Sequence, residues 1–358
     1  MDYLGRQRRL NEALERLKLD ALLVTHAVNV RYLCGFTGSN AALLASPRRT
    51  MLFTDGRYTE QANAEAQHVR VTISRGALLP EAVKAIQRHR IASTGIEAEH
   101  MSAAARTGFK RLLPKRARLR DTFAVVEHLR QIKEPAEITA LRESVIAGAR
   151  LFDTALEAIR PGVREIGVAA EMEYAARRAG AEGMSFDTIV AAGRRSALPH
   201  GRASSAPIPA RGFVVLDWGV KLSGYCSDET RTVHVGTPDA ETRGQYNAVR
   251  ESQQAAVEAI RPGATAGDVD RAARNALQRT GFARYFTHST GHGVGLEIHE
   301  SPRVAQNQPD PLRPGMVITV EPGVYIPNRG GVRIEDMVVV TATGCEVLTP
   351  TSKQLITL

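Results

Sequence analysis

Short apolar runs separated by helix-patterned stretches open the chain. ALLVT (21–25), AALLA (41–45), TMLFT (50–54) and VRVTI (69–73) read as strands, and the intervals near 57–66 and 80–89 as helices. The leading MDYLGRQRRLNEALERL has the spacing of a charged amphipathic helix. This alternation predicts a small α/β domain. Around residue 130, RQIKEPAEITALRESV reads as a linker entering a helix with Pro135 in its first turn, where a missing N–H costs nothing. The expected division is 1–128 for the amino-terminal domain and 129–358 for the second.

Within the second part, ALEAIRPGV (155–163) recurs as AVEAIRPGA (256–264), identical at seven of nine positions with an offset of 101. The register persists through Val168 and Val269, Arg178 and Arg279, Gly180 and Gly281. Each copy reads as a helix ending in Arg-Pro-Gly, then a second helix closed by glycine, the residue that caps a helix at least cost. Strand patterns follow in both: FDTIVAAG (186–193) with FTHSTGHG (286–293), VVLDWG (214–219) with ITVEPG (318–323), YCSDETRTVHV (225–235) with GVRIEDMVVVT (331–341). The second part is therefore expected to be two helix-helix-strand-hairpin halves related by a pseudo-twofold axis. Equivalent strand positions would meet at one site, and they hold Asp217 and Glu321, Asp228 and Glu335.

Composition narrows the setting. A chain of 358 residues exceeds what one core usually holds, and 43% hydrophobic with 24% charged residues is ordinary for a globular protein. Cys34, Cys226 and Cys345 are odd in number and far apart, which argues for a reducing compartment and against a disulfide frame or zinc knuckle. The start lacks the apolar core of a signal peptide and no apolar run reaches the ~18 residues of a membrane span, so the expected location is the cytoplasm, away from membranes. The net charge of +9 is spread along the chain, although RQRR (6–9) and KRLLPKRARLR (110–120) are locally dense. With 5% aromatics and no recognisable nucleic-acid module, the basic residues read as a solvated face, and nucleic acid is not an expected partner.

The candidate chemistry centres on TGHGVGLEIHE (290–300). His288 and His292 have the i, i+4 spacing of a zinc-hydrolase helix, but Gly291, Gly293 and Gly295 would each cost about 1 kcal/mol in a helix interior. No Lys-Ser/Thr follows and the glycines do not fit G-x-G-x-x-G, which excludes a phosphate loop. In LDWGVKLSGYCSD a turn at 221–224 predicts Asp217 directly opposite Asp228; in EPGVYIPNRGGVRIE a loop about Asn328 predicts Glu321 opposite Glu335. Like charges directly opposed on paired strands are destabilising, so two such pairs need a cation. With His292 they offer one nitrogen and four carboxylates, a set suited to two divalent ions about 3.5–4 Å apart. The oxygen-rich shell favours Mn²⁺, with Co²⁺ or Zn²⁺ as alternatives.

Asp217 in LDWG, Asp228 in GYCSDETRT, His292 in GHGVGLEIHE, Glu321 in VEPGVY and Glu335 in VRIED resemble the five metal ligands of the Xaa-Pro peptidases, the aminopeptidase P and prolidase group of pita-bread metallopeptidases. RYLCGFTGSNAALL and LFTDGRYTEQA resemble the amino-terminal domain of that group, so the resemblance covers nearly the whole chain. It implies a two-domain α/β protein, a creatinase-like amino-terminal domain followed by a pseudo-twofold pita-bread catalytic domain. By the same resemblance Asp217 would chelate one metal, His292 and Glu321 the other, and Asp228 and Glu335 would bridge. Water activated between the ions would attack the carbonyl before proline.

Further roles follow from the resemblance. His200 in ALPHG and His299 in LEIHE would hydrogen-bond the substrate carbonyl and developing oxyanion, His288 would line the pocket near proline, and Glu321 with the histidines would move the proton. Arg333 and Tyr325 would hold the carboxylate network. Arg303 in HESPR resembles an arginine that meets a substrate carboxylate in prolidases, which together with a short amino-terminal domain closing the cleft favours Xaa-Pro dipeptides over longer Xaa-Pro peptides. A homodimer is the expected assembly and a tetramer the alternative. Among rival readings, creatinase-like hydrolases lack the ligand set, and a peptide- or nucleic-acid-binding relative would have eroded ligands. Methionine aminopeptidase activity fits poorly with a domain of about 125 residues before the repeat.

Overall fold

The apolar runs of the first part condense into one sheet. A computed structural model describes residues 1–358, whose contacts divide into two units, Met1–Arg130 and Gln131–Leu358. In the first unit β1 (Ala21–Val24), β2 (Ala41–Ala45), β3 (Met51–Asp55), β4 (Arg70–Ser74), β5 (Ser93–Glu97) and β6 (Arg118–Thr122) lie in the order β4-β3-β2-β1-β5-β6. β1, β5 and β6 are parallel, as are β3 and β4, while β2 is antiparallel to both its neighbours. The first four strands coincide with the apolar runs. β6 carries no such signal because Arg118, Arg120 and Asp121 are exposed, as suits an edge strand. Helices Tyr3–Arg16 and Leu78–Arg88 stand where the sequence places them. Leu23, Leu44 and Phe53 of the sheet meet Ile86 and Phe109 of the helices in the core.

The second unit enters helix Pro135–Ala149 with Pro135 at its first turn and a capping box between Glu134 and Glu137. The repeat is structural as well as sequential. Helices Leu151–Ala158 and Glu165–Arg178 correspond to Ala240–Ala259 and Ala266–Arg279, and the connecting glycines share their backbone, φ 87° at Gly162 and 84° at Gly263. Strands Ile189–Ala192, Gly212–Trp218 and Glu229–Val235 form one antiparallel sheet. Gly291–Gly293, Val317–Val320 and Asp336–Val340 form the core of the other, flanked by Glu300–Val304 and Cys345–Val347. Each half buries its own core: Leu151, Val168 and Met172 with Val214, Leu216 and Trp218, and Val249, Val269 and Leu277 with Ile318, Val320 and Val338. Each such side chain contributes about 1.5–3 kcal/mol on burial. The sheets meet through a backbone bond, Glu335 N–H donating to Thr230 O (3.1 Å), and the separate hairpin strand Gly330–Arg333 joins the first sheet by Arg333 N–H donating to Thr232 Oγ1 (3.1 Å).

One hairpin differs from its expected register. Leu222 pairs with Tyr225, so the turn is Ser223-Gly224, both with positive φ (51° and 82°). Two positive-φ residues make the tight turn that matches strand twist, and it displaces the four-residue turn expected at 221–224. Asp217 consequently faces Thr230 rather than Asp228. The second hairpin has the expected register about Asn328, from Ile326 opposite Gly330 to Gly323 opposite Arg333, and it continues as Val320 opposite Asp336. Glu321 and Glu335 lie between these two ladders, where the strands open and Glu321 N–H turns to Thr290 O (2.7 Å).

Candidate metal centre

Separate strands deliver the five expected ligands to one place. Asp217 lies near the end of Gly212–Trp218, Asp228 just before Glu229–Val235, and His292 in the middle of Gly291–Gly293. Glu321 follows Val317–Val320 and Glu335 precedes Asp336–Val340. The glycine run lets the His292 strand approach its neighbour, since a Cβ on Gly291 would fall 2.0 Å from Thr319 O. Ligand atoms of Asp228, His292 and Glu335 all lie within 4.8 Å of one another. His292 Nε2 is 3.5 Å from Asp228 Oδ2 and 3.5 Å from Glu321 Oε1. Its Nδ1 is 3.0 Å from Gly293 O, a contact that places the proton on Nδ1 and leaves the Nε2 lone pair facing the acids.

These acids are buried together, and burial costs an unpaired charge dearly. Burial first, then the charges of Glu335, Asp217 and Glu321, push Asp228 well above the usual carboxylate range. Burial and the charges of Glu321 and Asp217 do the same to Glu335. Glu321 is pushed up to about 7, chiefly by burial. Burial pulls His292 down, keeping it neutral and free to donate its lone pair. Asp217 Oδ1 is buried without a hydrogen-bond partner. Mutually repelling acids, a neutral imidazole and an orphaned carboxylate oxygen are what a divalent cation would satisfy, so the residues fit metal.

A cation of the chain's own stands beside them. Arg333, 3% exposed, donates to Asp217 Oδ2 (2.6 Å), Tyr325 OH (2.6 Å), Pro199 O (2.9 Å) and Thr230 Oγ1 (3.1 Å). Tyr325 OH lies 3.0 Å from His288 Nε2. Burial pushes the Tyr325 hydroxyl up to about 12 and His288 down to about 4. Both are therefore neutral near pH 7. His200 and His299 are exposed, and the His299 ring packs edge-on against His292 with centroids 4.4 Å apart. Arg303 is exposed on strand Glu300–Val304, directly opposite His292 in the ladder.

Residues 139–342 match metallopeptidase family M24, and residues 6–132 match the creatinase/prolidase N-terminal domain. The chain belongs to metallopeptidase family M24. It is similar to the Xaa-Pro dipeptidase of Pyrococcus horikoshii, 38% identical over 99% of this chain and 100% of the relative. Among solved structures, the Xaa-Pro dipeptidase from Bacillus anthracis superposes with TM-score 0.97 at 41% identity, covering 99% of this chain and 100% of that one. The X-Pro aminopeptidase from Thermotoga maritima gives TM-score 0.91 at 34% identity over 96% and 99%.

Several residues of this metallopeptidase's site are not singled out by sequence reasoning. Thr230 Oγ1 donates to Glu335 Oε2 (2.7 Å) while accepting from Arg333, so one hydroxyl ties the arginine to a second acid. Its position two residues after Asp228, on the same strand face, was the available signal. Thr319 Oγ1 accepts the His292 N–H (3.1 Å) and lies 3.4 Å from Glu321 Oε1. Asp270 binds Thr290 Oγ1 (2.8 Å) and Arg274, which in turn donates to His288 O (2.6 Å). That helix pair carries the ordinary i, i+4 pattern of a surface ion pair, and nothing in the sequence separates it from one.

Proposed function

We propose that Asp217, Asp228, His292, Glu321 and Glu335 hold two divalent ions, Mn²⁺ foremost with Co²⁺ or Zn²⁺ as alternatives, in an enzyme that hydrolyses Xaa-Pro dipeptides. The observation that carries this reading is the convergence of Asp228, His292 and Glu335 within 4.8 Å, beside the unpartnered Asp217 oxygen. Asp217, Asp228, His292, Glu321 and Glu335 would together supply the one nitrogen and the carboxylate oxygens that hold the ions. Bound ions would supply positive charge that polarises the scissile carbonyl and makes water acidic.

The chain's own groups do the rest. His200 and His299, exposed at the mouth, donate hydrogen bonds to the substrate carbonyl and the developing oxyanion. His288 packs near the proline ring as a neutral imidazole, and Arg333 and Tyr325 orient Asp217 and His288. Glu321 exchanges the proton that passes from water to the leaving amine. Arg303 receives the free carboxylate of the dipeptide. A cytoplasmic homodimer, with the tetramer as the alternative, completes the proposal; the free thiols, two of them buried, support a reducing compartment.

Similarity to Xaa-Pro dipeptidases along the full chain supports the dipeptide. Similarity to an X-Pro aminopeptidase structure supports a second reading in which longer peptides are cleaved. The test compares kcat/KM for Ala-Pro, Ala-Pro-Ala and a longer Xaa-Pro peptide with Mn²⁺ present, in the wild type and in Arg303→Ala. The expected result is preference for Ala-Pro, with Arg303→Ala raising KM for the dipeptide selectively by the equivalent of about 1.5–3 kcal/mol. Equal or better cleavage of the longer peptides by the wild type would establish the second reading.

A further inference from the structure

His299 is exposed and makes no hydrogen bond through its ring, so its placement comes from its backbone and from packing on His292. That backbone belongs to the loop of residues 294–299, between strands Gly291–Gly293 and Glu300–Val304. Glu300, the next residue, folds its carboxylate back over the loop. Oε1 accepts the Glu297 N–H (3.2 Å), and both oxygens sit 2.6 Å from where a Cβ on Gly295 would lie. Oε2 accepts from Lys133 Nζ at 3.0 Å, and the two side chains are 1% and 6% exposed. Lys133 comes from the segment before helix Pro135–Ala149 and is fixed by its own N–H on Gly315 O (2.8 Å). The far side of the loop is tied by Cys226 N–H on Gly295 O (2.8 Å), two residues before Asp228.

One carboxylate thus shapes the loop, and one ammonium from a distant segment keeps that carboxylate in place. A buried charge that loses its partner turns toward water, so loss of either group would open the loop. We infer that Lys133 and Glu300 are positioning residues for hydrolysis, their buried ion pair setting the loop that aims His299 at the substrate. The inference rests on the proposed role of His299, and both can be tested in one series.

The series measures kcat, KM and bound Mn²⁺ for wild type, His299→Ala, Lys133→Met, the pair Lys133→Met with Glu300→Gln, and that pair combined with His299→Ala. The paired change removes both charges of this ion pair together, so it separates folding from positioning. The expected result is a fall in kcat of about tenfold or more for the paired change, as for a misplaced catalytic group. KM and metal content stay near wild type, and little further loss appears when the pair is added to His299→Ala. If His299→Ala itself leaves kcat unchanged, the reading of His299 fails. If His299→Ala lowers kcat but the paired change does not, or lowers it additively, the positioning role is overturned. Failure of the paired variant to fold, or its loss of metal, overturns it equally, leaving the ion pair a part of the scaffold.

Discussion

Burial settles the protonation of His288 before any substrate arrives. Its Nδ1 is 2.8 Å from Ser289 O and its Nε2 is 3.0 Å from Tyr325 OH, whose oxygen accepts from Arg333. The consistent tautomer carries the proton on Nδ1 and accepts the Tyr325 proton at Nε2. Protonating His288 would put two donors face to face, and burial with the Arg333 charge already holds it at about 4 against an ordinary 6.5. A base with a depressed folded pKa takes up protons preferentially when unfolded. The stability it confers is therefore complete above pH 6.5 and is lost as pH falls toward 4. The loss is on the order of 3 kcal/mol when complete. His288→Gln should accordingly lose less unfolding free energy between pH 7 and pH 4.5 than the wild type does, measured by urea unfolding at each pH; parallel losses would refute the assignment.

At the scale of elements, the site depends on strand register and on close approach. The second hairpin was legible because its loop is symmetric about Asn328, which fixes Glu321 and Glu335 at equivalent heights. The first differs from its expected register by two residues because the turn is confined to Ser223-Gly224, between the paired Leu222 and Tyr225, rather than spread over 221–224. Asp217 and Asp228 still come together, as diagonal neighbours on one face of the same sheet, because Asp217 pairs with Thr230, two residues after Asp228. Thr319 and the Lys133–Glu300 pair are not legible in the sequence because their partners lie about 30 to more than 160 residues away, a separation no local pattern encodes. Gly291 gives the element scale its test. Gly291→Ala would drive a methyl into Thr319 O and must push the His292 strand away. The expected cost is about 1–3 kcal/mol of stability, seen as a lower Tm, together with weaker Mn²⁺ binding. Unchanged Tm and metal affinity would mean that this approach is not what places His292.

Over the whole molecule, the repeat at an offset of 101 residues was the strongest signal, because it predicted two equivalent halves before any element was assigned. The structure keeps that equivalence down to the φ angles of matching glycines, and the acids converge where the halves meet. No helix is long and apolar enough to cross a membrane. The fold brings five side chains in or beside five strands to one place, and burial of the acids there makes the group fit a cation. Metal content measured with turnover on the same samples tests this most directly. After Mn²⁺ loading and removal of free metal, the wild type should carry about two ions per chain, and Glu335→Gln should lose most of that metal along with turnover. Full turnover by metal-stripped enzyme in excess chelator, or an undiminished metal content in Glu335→Gln, would contradict the account.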